Sequence, residues 1–338
     1  MKTKDWTIVT VAASLIPIIG IIFFVILYND SIADNSRTIQ TQQKLSLIVS
    51  SVQSKNKIAL LEPTFTEAAY NNAFYVFYKK YDSLSKGEEV LTDLRNLTSS
   101  LDRSTNTTLN KNIQQKMTIV LDQIKKVIPS ANVYNIKDQD VDNGKLILND
   151  TSNNFDVLIV LHEEYVTQKM YDDFKRFVSN GGVILFLDAN FFFAEVNYDK
   201  EKKAVTLIRG HHWEFDGKSA KKDVAERWYN ETKEWTGGNF WDKKPYDVNI
   251  NFTNNIFNYV HHEEEYVNNL NDVIILDYGA YATSDNIQKK IATYKLDYGK
   301  GKVIVFGLYG EDILKNKKFL GFFDNMLSEY VENNSTRG

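Results

Sequence analysis

The sequence predicts an α/β fold: a doubly wound, mostly parallel sheet with β-hairpin additions, preceded by one transmembrane helix. Three observations carry this expectation. Residues 155–190 run strand, polar turn, amphipathic helix, Gly-Gly stop, strand, which is a βαβ unit. Further apolar runs alternate with helical periodicity on both sides of that unit, as a layered α/β domain requires. Residues 6–28, opened by Trp6 and closed by Tyr28, contain no charged side chain, and a helix needs roughly 20 apolar residues to cross a bilayer.

The N-terminal run is longer than the apolar core of a cleaved signal peptide, about 7–15 residues, and it lacks an Ala-x-Ala cleavage pattern. Lys2 and Lys4 precede it, while Asp30 and Asp34 follow. The positive-inside rule therefore puts the N-terminus in the cytoplasm and the bulk of the chain outside. Glycosylation sequons at Asn96, Asn106, Asn149, Asn230 and Asn251 all lie beyond the run, and N-glycans there agree with export. The expected organisation is an anchor over 1–29, a stalk helix over 30–56 and an extracellular α/β domain over 57–332. The stalk places Leu45, Ile48, Val49 and Val52 on one helical face. The expected location is the cell membrane, single-pass.

In the domain itself, residues 58–61 form a short apolar strand. Thr66 then caps a helix whose Tyr70, Phe74, Phe77, Tyr78 and Tyr81 recur at helical spacing, the pattern of a buried face. Residues 83–110 are rich in Ser, Thr and Asn and read as a surface excursion. An amphipathic helix follows over 113–127, stopped by Pro129, and then a strand over 133–136. The acidic run from Asp138 to Gly144 resembles a calcium loop but lacks the bidentate Glu of an EF-hand.

In the central unit, residues 157–161 are continuously apolar, as in a strand buried on both faces. Thr167 is placed to cap a helix with Met170, Phe174, Phe177 and Val178 on one face. Gly181 and Gly182 stop it, and residues 183–187 lead to Asp188 and Asn190. Residues 191–196 and 204–208 pair as a hairpin, residues 273–276 add a strand, and 291–296 pairs with 302–306. An amphipathic helix over 319–327 closes the domain.

Composition removes several functions. With 40 Lys+Arg against 44 Asp+Glu the net charge is -4, and no basic stripe for nucleic acid is visible. The chain has no cysteine, which excludes disulfides, thiol nucleophiles and thiolate metal sites. No Gly-x-Ser-x-Gly elbow, dinucleotide fingerprint or Walker loop occurs. All 5 histidines follow residue 160 and fall into three groups: His162-Glu163-Glu164-Tyr165, His211-His212-Trp213-Glu214, and His261-His262-Glu263-Glu264-Glu265-Tyr266. Imidazole, carboxylate and phenolate suit iron or zinc, and Glu163 with Glu263 would suit general acid–base work. Trp213, Trp228, Trp235 and Trp241 suggest a carbohydrate platform instead.

The motif His162, Glu163, Glu164, Tyr165, then Gly181, Gly182 and Asn190, resembles the C-terminal domain of the N,N-dimethylformamidase large subunit, a branch of the class I glutamine amidotransferase-like fold. Residues 298–307 and His261-His262-Glu263 are similar to further parts of that family. The resemblance implies a mononuclear iron held by two tyrosines and a glutamate, and hydrolysis of a small amide. On it, Tyr165, Glu263 and His261 are candidate metal ligands, and His162, Glu163 and Glu263 candidate catalytic groups. Where relatives carry a Tyr-Trp pair after the Asn, this chain has Phe191, Phe192 and Phe193. That departure, with the anchor, favours a non-catalytic binding or scaffolding domain on a cell surface of archaeal character, partnered by membrane-complex or envelope proteins. The alternatives are an iron- or zinc-dependent amide hydrolase and a carbohydrate-binding module.

Overall fold

The computed structural model describes residues 56–70, 73–83, 89–90, 97–103, 108–241, 246–252, 255–261, 264–267, 274–275, 280–283, 290–291, 293–307 and 314–328. The expected anchor and stalk lie outside these. No described helix is long and apolar enough to cross a membrane. All the described elements belong to a unit running from Lys55 to Gly338.

The elements that position the site are β1 (Lys57–Glu62), α1 (Thr64–Tyr70), α2 (Ala73–Tyr81), α3 (Thr108–Val127), β2 (Asn132–Lys137), β3 (Val157–Val160) and β4 (Glu163–Val166). They continue with α4 (Gln168–Ser179), β5 (Val183–Phe186), β6 (Phe191–Asp199), β7 (Ala204–Gly210), β8 (Trp213–Phe215), α5 (Tyr229–Thr236), β9 (Thr293–Tyr298), β10 (Gly301–Phe306) and α6 (Lys317–Leu327).

The fold is mixed α/β with a parallel sheet at its centre. Five parallel strands lie in the order β2-β1-β3-β5-β10, and β9 and the short strand Ile274–Ile275 extend the β10 edge antiparallel. Strand order reverses between β1 and β3, where the carboxyl ends of an open sheet leave a crevice. Both faces of this sheet are apolar because successive side chains alternate. Leu158, Val160, Ile184 and Phe186 face one core with Met170, Phe174 and Phe177 of α4. Val157, Ile159, Val183 and Leu185 face the other, with Ile113, Met117, Val120 and Ile124 of α3 and Phe319, Phe322 and Phe323 of α6.

A second sheet is built on β4, β6, β7 and β8, with β4 parallel to β6 and the others antiparallel. The chain passes from the first sheet to the second at Leu161 and His162, between β3 and β4. The stretch expected as a surface excursion contributes here: Glu89–Val90 and Thr98–Ser100 pair with this sheet, and Leu97 and Ser99 are buried. Polar composition hid these strands; in Thr98–Ser100 only the middle residue is buried. The acidic run opens as a short helix, Asp138–Asp142, with Asp140 accepting from the Lys137 amide. The Thr167 cap forms as expected, its hydroxyl accepting from the Met170 amide at 3.1 Å.

Three glycines pack the α4–β5 turn against the last hairpin. A Cβ at Gly301 would sit 2.2 Å from the carbonyl oxygens of both Gly182 and Val178, backbone atoms that cannot swing aside. A Cβ at Gly321 of α6 would meet nothing within 4 Å. Gly301→Ala is therefore expected to cost about 2–3 kcal/mol in urea unfolding, as overpacking does. Gly321→Ala is expected to add about 0.5–1 kcal/mol through helix propensity. A tolerated Gly301→Ala would show that the two segments are not in contact.

Candidate functional site

Beyond the carboxyl ends of β3 and β5, polar side chains from seven places in the fold gather around a buried centre, with Tyr70, Tyr75 and His211 half-buried at its edge. His162 follows β3 and is 1% exposed, Glu163, Glu164 and Tyr165 open β4 at 0–1%, and Asp188 and Asn190 follow β5 at 0% and 2%. Tyr70 ends α1, Tyr75 and Tyr78 lie on α2, Lys116 comes from α3, and His211 sits in the β7–β8 turn.

Glu164 is the centre. Its Oε2 accepts from Tyr70 Oη at 2.6 Å, and its Oε1 accepts from Tyr75 Oη at 3.4 Å and contacts His211 Nε2. Tyr75 Oη also lies 3.4 Å from His211 Nε2. His162 Nε2 lies 3.3 Å from Tyr70 Oη and 3.5 Å from Glu164 Oε2. Thr66 of α1 locks the strand in place, its hydroxyl accepting from the amides of Glu164 at 3.0 Å and Tyr165 at 3.1 Å.

Behind His162 the polar chain continues. Its Nδ1 is 3.3 Å from Asp188 Oδ1, and Asp188 Oδ2 is 3.2 Å from Lys116 Nζ. Burial works against the charge on each of these groups. It is overcome for Asp188 by Lys116 and His162, which hold that carboxylate below its usual range. It is likewise overcome for Glu164 by His211 and His162. For His162, burial is outweighed by Asp188 and Glu164, which push it up to about 9. Burial and then the Glu164 charge hold the phenols of Tyr70 and Tyr75 above their usual range.

Strand alternation sends Glu163 the other way, to a second cluster. There burial and then Asp138 raise its carboxyl, and burial raises Asp138, which accepts from the Phe65 amide at 2.6 Å. Nearby Glu67 is pushed up to about 7 by burial and then by Glu62.

The β7–β8 turn has two central residues, His211 at φ 48° and His212 at φ 66°, flanked by the Gly210–Trp213 pair. Two consecutive positive φ values are the mark of a type I′ hairpin turn, which Asn-Gly normally occupies. Histidine there is strained, and the strain delivers an imidazole to Glu164. Gly210 allows the approach, since a Cβ there would lie 2.4 Å from Ala194 Cβ.

Of the residues singled out from sequence, His162 and Tyr165 lie in or against this cluster, and Glu163 lies in the Asp138 cluster. The Tyr165 ring stacks 5.9 Å from the His211 ring, and its buried hydroxyl has no well-formed hydrogen bond. His261 ends the strand Asn255–His261, with its side chain outside the described atoms. Glu263 lies outside the described residues. The tryptophans expected as a sugar platform are core: Trp213, Trp228 and Trp235 are 2%, 2% and 1% exposed, and Trp228 stacks on Tyr171 at 4.5 Å. Trp241 closes the strand Gly238–Trp241. Asn149 and Asn230 are exposed. Tyr75 was not visible in the sequence, because it falls off the apolar stripe of α2. Its partner His211 was visible as a residue, and its turn geometry was not.

Among the described residues no three His, Asp or Glu side chains are arranged to hold a metal ion. Any metal here therefore needs the phenols. Tyr70, Tyr75, Glu164 and His211 form a mixed oxygen and nitrogen donor set that suits iron or zinc, and neutral buried phenols around a carboxylate are the groups a cation would ionise.

Two expectations follow. His212→Gly should relieve the turn and raise stability by about 0.5–1 kcal/mol, because the His212 amide that donates to Glu226 Oε1 at 3.0 Å is kept; thermal unfolding measures this, and a loss would argue against the type I′ turn. For Glu67 the folded pKa, about 7, lies above the unfolded value. Its stabilising contribution is thus complete below about pH 4.5 and is lost as pH rises through 7. Glu67→Gln should flatten the fall in stability between pH 4.5 and 8 by about 2 kcal/mol, read from urea midpoints at each pH.

The chain is similar over 87% of its length to a GH42 β-galactosidase from G. stearothermophilus, covering 34% of that protein at 11% identity and a TM-score of 0.42. It is similar over 87% to the cold-adapted β-galactosidase from Rahnella sp. R3, covering 35% of it at 12% identity and 0.41. A ThuA-like protein from Bacteroides uniformis matches over 82% of this chain and 91% of its own, at 12% identity and 0.39. The chain spans about a third of the length of the β-galactosidases it matches. No curated protein matches it. The family model described as N,N-dimethylformamidase beta subunit-like, C-terminal, matches residues 19–268. That is well over half of the 338 residues, and the chain belongs to the N,N-dimethylformamidase beta subunit-like C-terminal family.

Proposed function

We propose that this chain is a metal-dependent hydrolase of small amides, displayed outside the cell on its N-terminal anchor. The observation that carries the reading is the meeting of half-buried Tyr70 and Tyr75 with the buried carboxylate of Glu164, with His211 completing the donor set. Two tyrosines and a glutamate are the ligand kinds that the family resemblance implies. Tyr70, Tyr75 and Glu164 supply them here in place of Tyr165, His261 and Glu263. The fold is read, on the strand order β2-β1-β3-β5-β10, as the flavodoxin-like arrangement with its crevice at the switch point. The charge-free run over 6–28 supports the membrane placement.

The Phe191–Phe193 departure no longer weighs against activity. Phe191 stacks on Phe186 at 4.1 Å, and Phe192 packs on Phe174 and Trp235. These rings fill the core, and no donor of the cluster depends on them.

A metal bound there would polarise an amide carbonyl and ready a water for attack. The chain's own residues do the rest. Burial of Glu164, His162 and Asp188 strengthens the charge interactions among them. His162, with Nε2 facing the cluster, is placed to give a proton from that atom to the departing amine nitrogen. Thr66 and the β4 backbone hold Glu164 rigid.

Elemental analysis of the full chain, purified without chelator, tests the proposal. About one iron or zinc per chain is expected, as for a preformed site, and Tyr75→Phe and Glu164→Gln should each remove most of it. Tyr165→Phe should retain it. A metal-free wild type, or metal indifferent to Tyr75 and Glu164, would leave the scaffolding reading standing instead.

A further inference from the structure

We propose that Asp188, itself held by Lys116, is the positioning residue for His162: it keeps a hydrogen on Nδ1 and thereby aims Nε2 at Tyr70 and Glu164. For its catalytic consequence the inference rests on the hydrolase reading; its geometry does not.

Five contacts carry the inference. Asp188 Oδ2 lies 3.2 Å from Lys116 Nζ, with both side chains almost wholly buried. Asp188 Oδ1 accepts from the Asn190 amide at 3.0 Å and lies 3.3 Å from His162 Nδ1. The far side of the same imidazole, Nε2, lies 3.3 Å from Tyr70 Oη and 3.5 Å from Glu164 Oε2. A bare Nδ1 would set its lone pair against a carboxylate oxygen, with both side chains almost wholly buried. A hydrogen on Nδ1 removes that repulsion, whether or not Nε2 also carries one. The back edge of the ring lies against Asp188, and its front edge faces the donor cluster. Lys116 is the unexpected partner. It interrupts the apolar face of α3 beside Met117, a position where a lysine is stable only if paired.

The pairing gives Asp188→Asn a definite outcome. An asparagine has one oxygen for two sides, Lys116 on one and His162 with the Asn190 amide on the other, and a charged donor makes the stronger bond. Lys116 therefore takes the oxygen and turns the amide NH2 toward His162, which must then present a bare Nδ1. Replacing Lys116 as well by methionine frees the amide to turn back, so that its oxygen again faces the Asn190 amide and His162 Nδ1.

The experiment is nitrogen NMR of the full chain labelled at histidine, in chelator-treated protein. The His162 signals are identified by their loss in His162→Gln. Wild type should carry hydrogen at Nδ1, Asp188→Asn should leave Nδ1 bare, and Lys116→Met with Asp188→Asn should restore the wild-type pattern. A bare Nδ1 in wild type, or an Asp188→Asn pattern like wild type, would overturn the proposal. If Asp188→Asn fails to fold, the wild-type spectrum still decides. Amide turnover by the metal-loaded protein should fall about 100-fold in Asp188→Asn at unchanged metal content. Absence of metal from every protein would instead sink the hydrolase reading and leave the NMR result intact.

Discussion

A carboxylate as deeply buried as Glu164 persists only while cations and hydrogen-bond donors surround it. Tyr70, Tyr75, His162 and His211 do so here, and they arrive from four separate places in the fold. The two-sheet construction follows from that need. The first sheet ends at His162, the second begins with Glu163, and α1 and α2 close over the junction. The strained β7–β8 turn brings in the remaining imidazole. Removing any one of these contributors exposes the same desolvated charge, so the cluster is cooperative in the sense that buried polar networks are.

Adjacent residues at this junction have opposite fates. Glu163 and Glu164 differ by one position, and the alternation of a strand sends them to opposite faces. Glu164 meets two histidines, which hold it ionised. Glu163 meets Asp138 in an equally buried setting, and burial and that second carboxylate raise its carboxyl instead. Identical chemistry at neighbouring positions thus yields one carboxyl held low by imidazoles and one held high by burial and a second acid. Only the partners differ.

Strain and packing are distributed in the same spirit. Positive φ at His211 and His212 sits at the cluster's edge, while Phe192, at φ 61°, lies in the bulge where β6 leaves β4. That bulge turns the Phe192 ring into the aromatic core with Phe174 and Trp235. Backbone deviations of this sort are tolerated where surrounding contacts over-determine them. Here one supplies a polar group and the other fills a core.

Periodicity and punctuation in the sequence determined the central βαβ unit, the Thr167 cap, the Gly-Gly stop and the paired strands at the C-terminal edge, because each rests on contacts between near neighbours. The same local signals identified the His162 motif and placed it at a strand's carboxyl end. What they could not determine is which distant residues complete it. Tyr75 lies 89 positions before Glu164 and His211 lies 47 after it, and Lys116 meets Asp188 across 72. Such meetings depend on how two sheets and three helices pack, and no local pattern records them. The polar strands Glu89–Val90 and Thr98–Ser100 were hidden for the same reason. Their pairing is supplied by a sheet assembled from the far side of the chain, and only tertiary structure decides it.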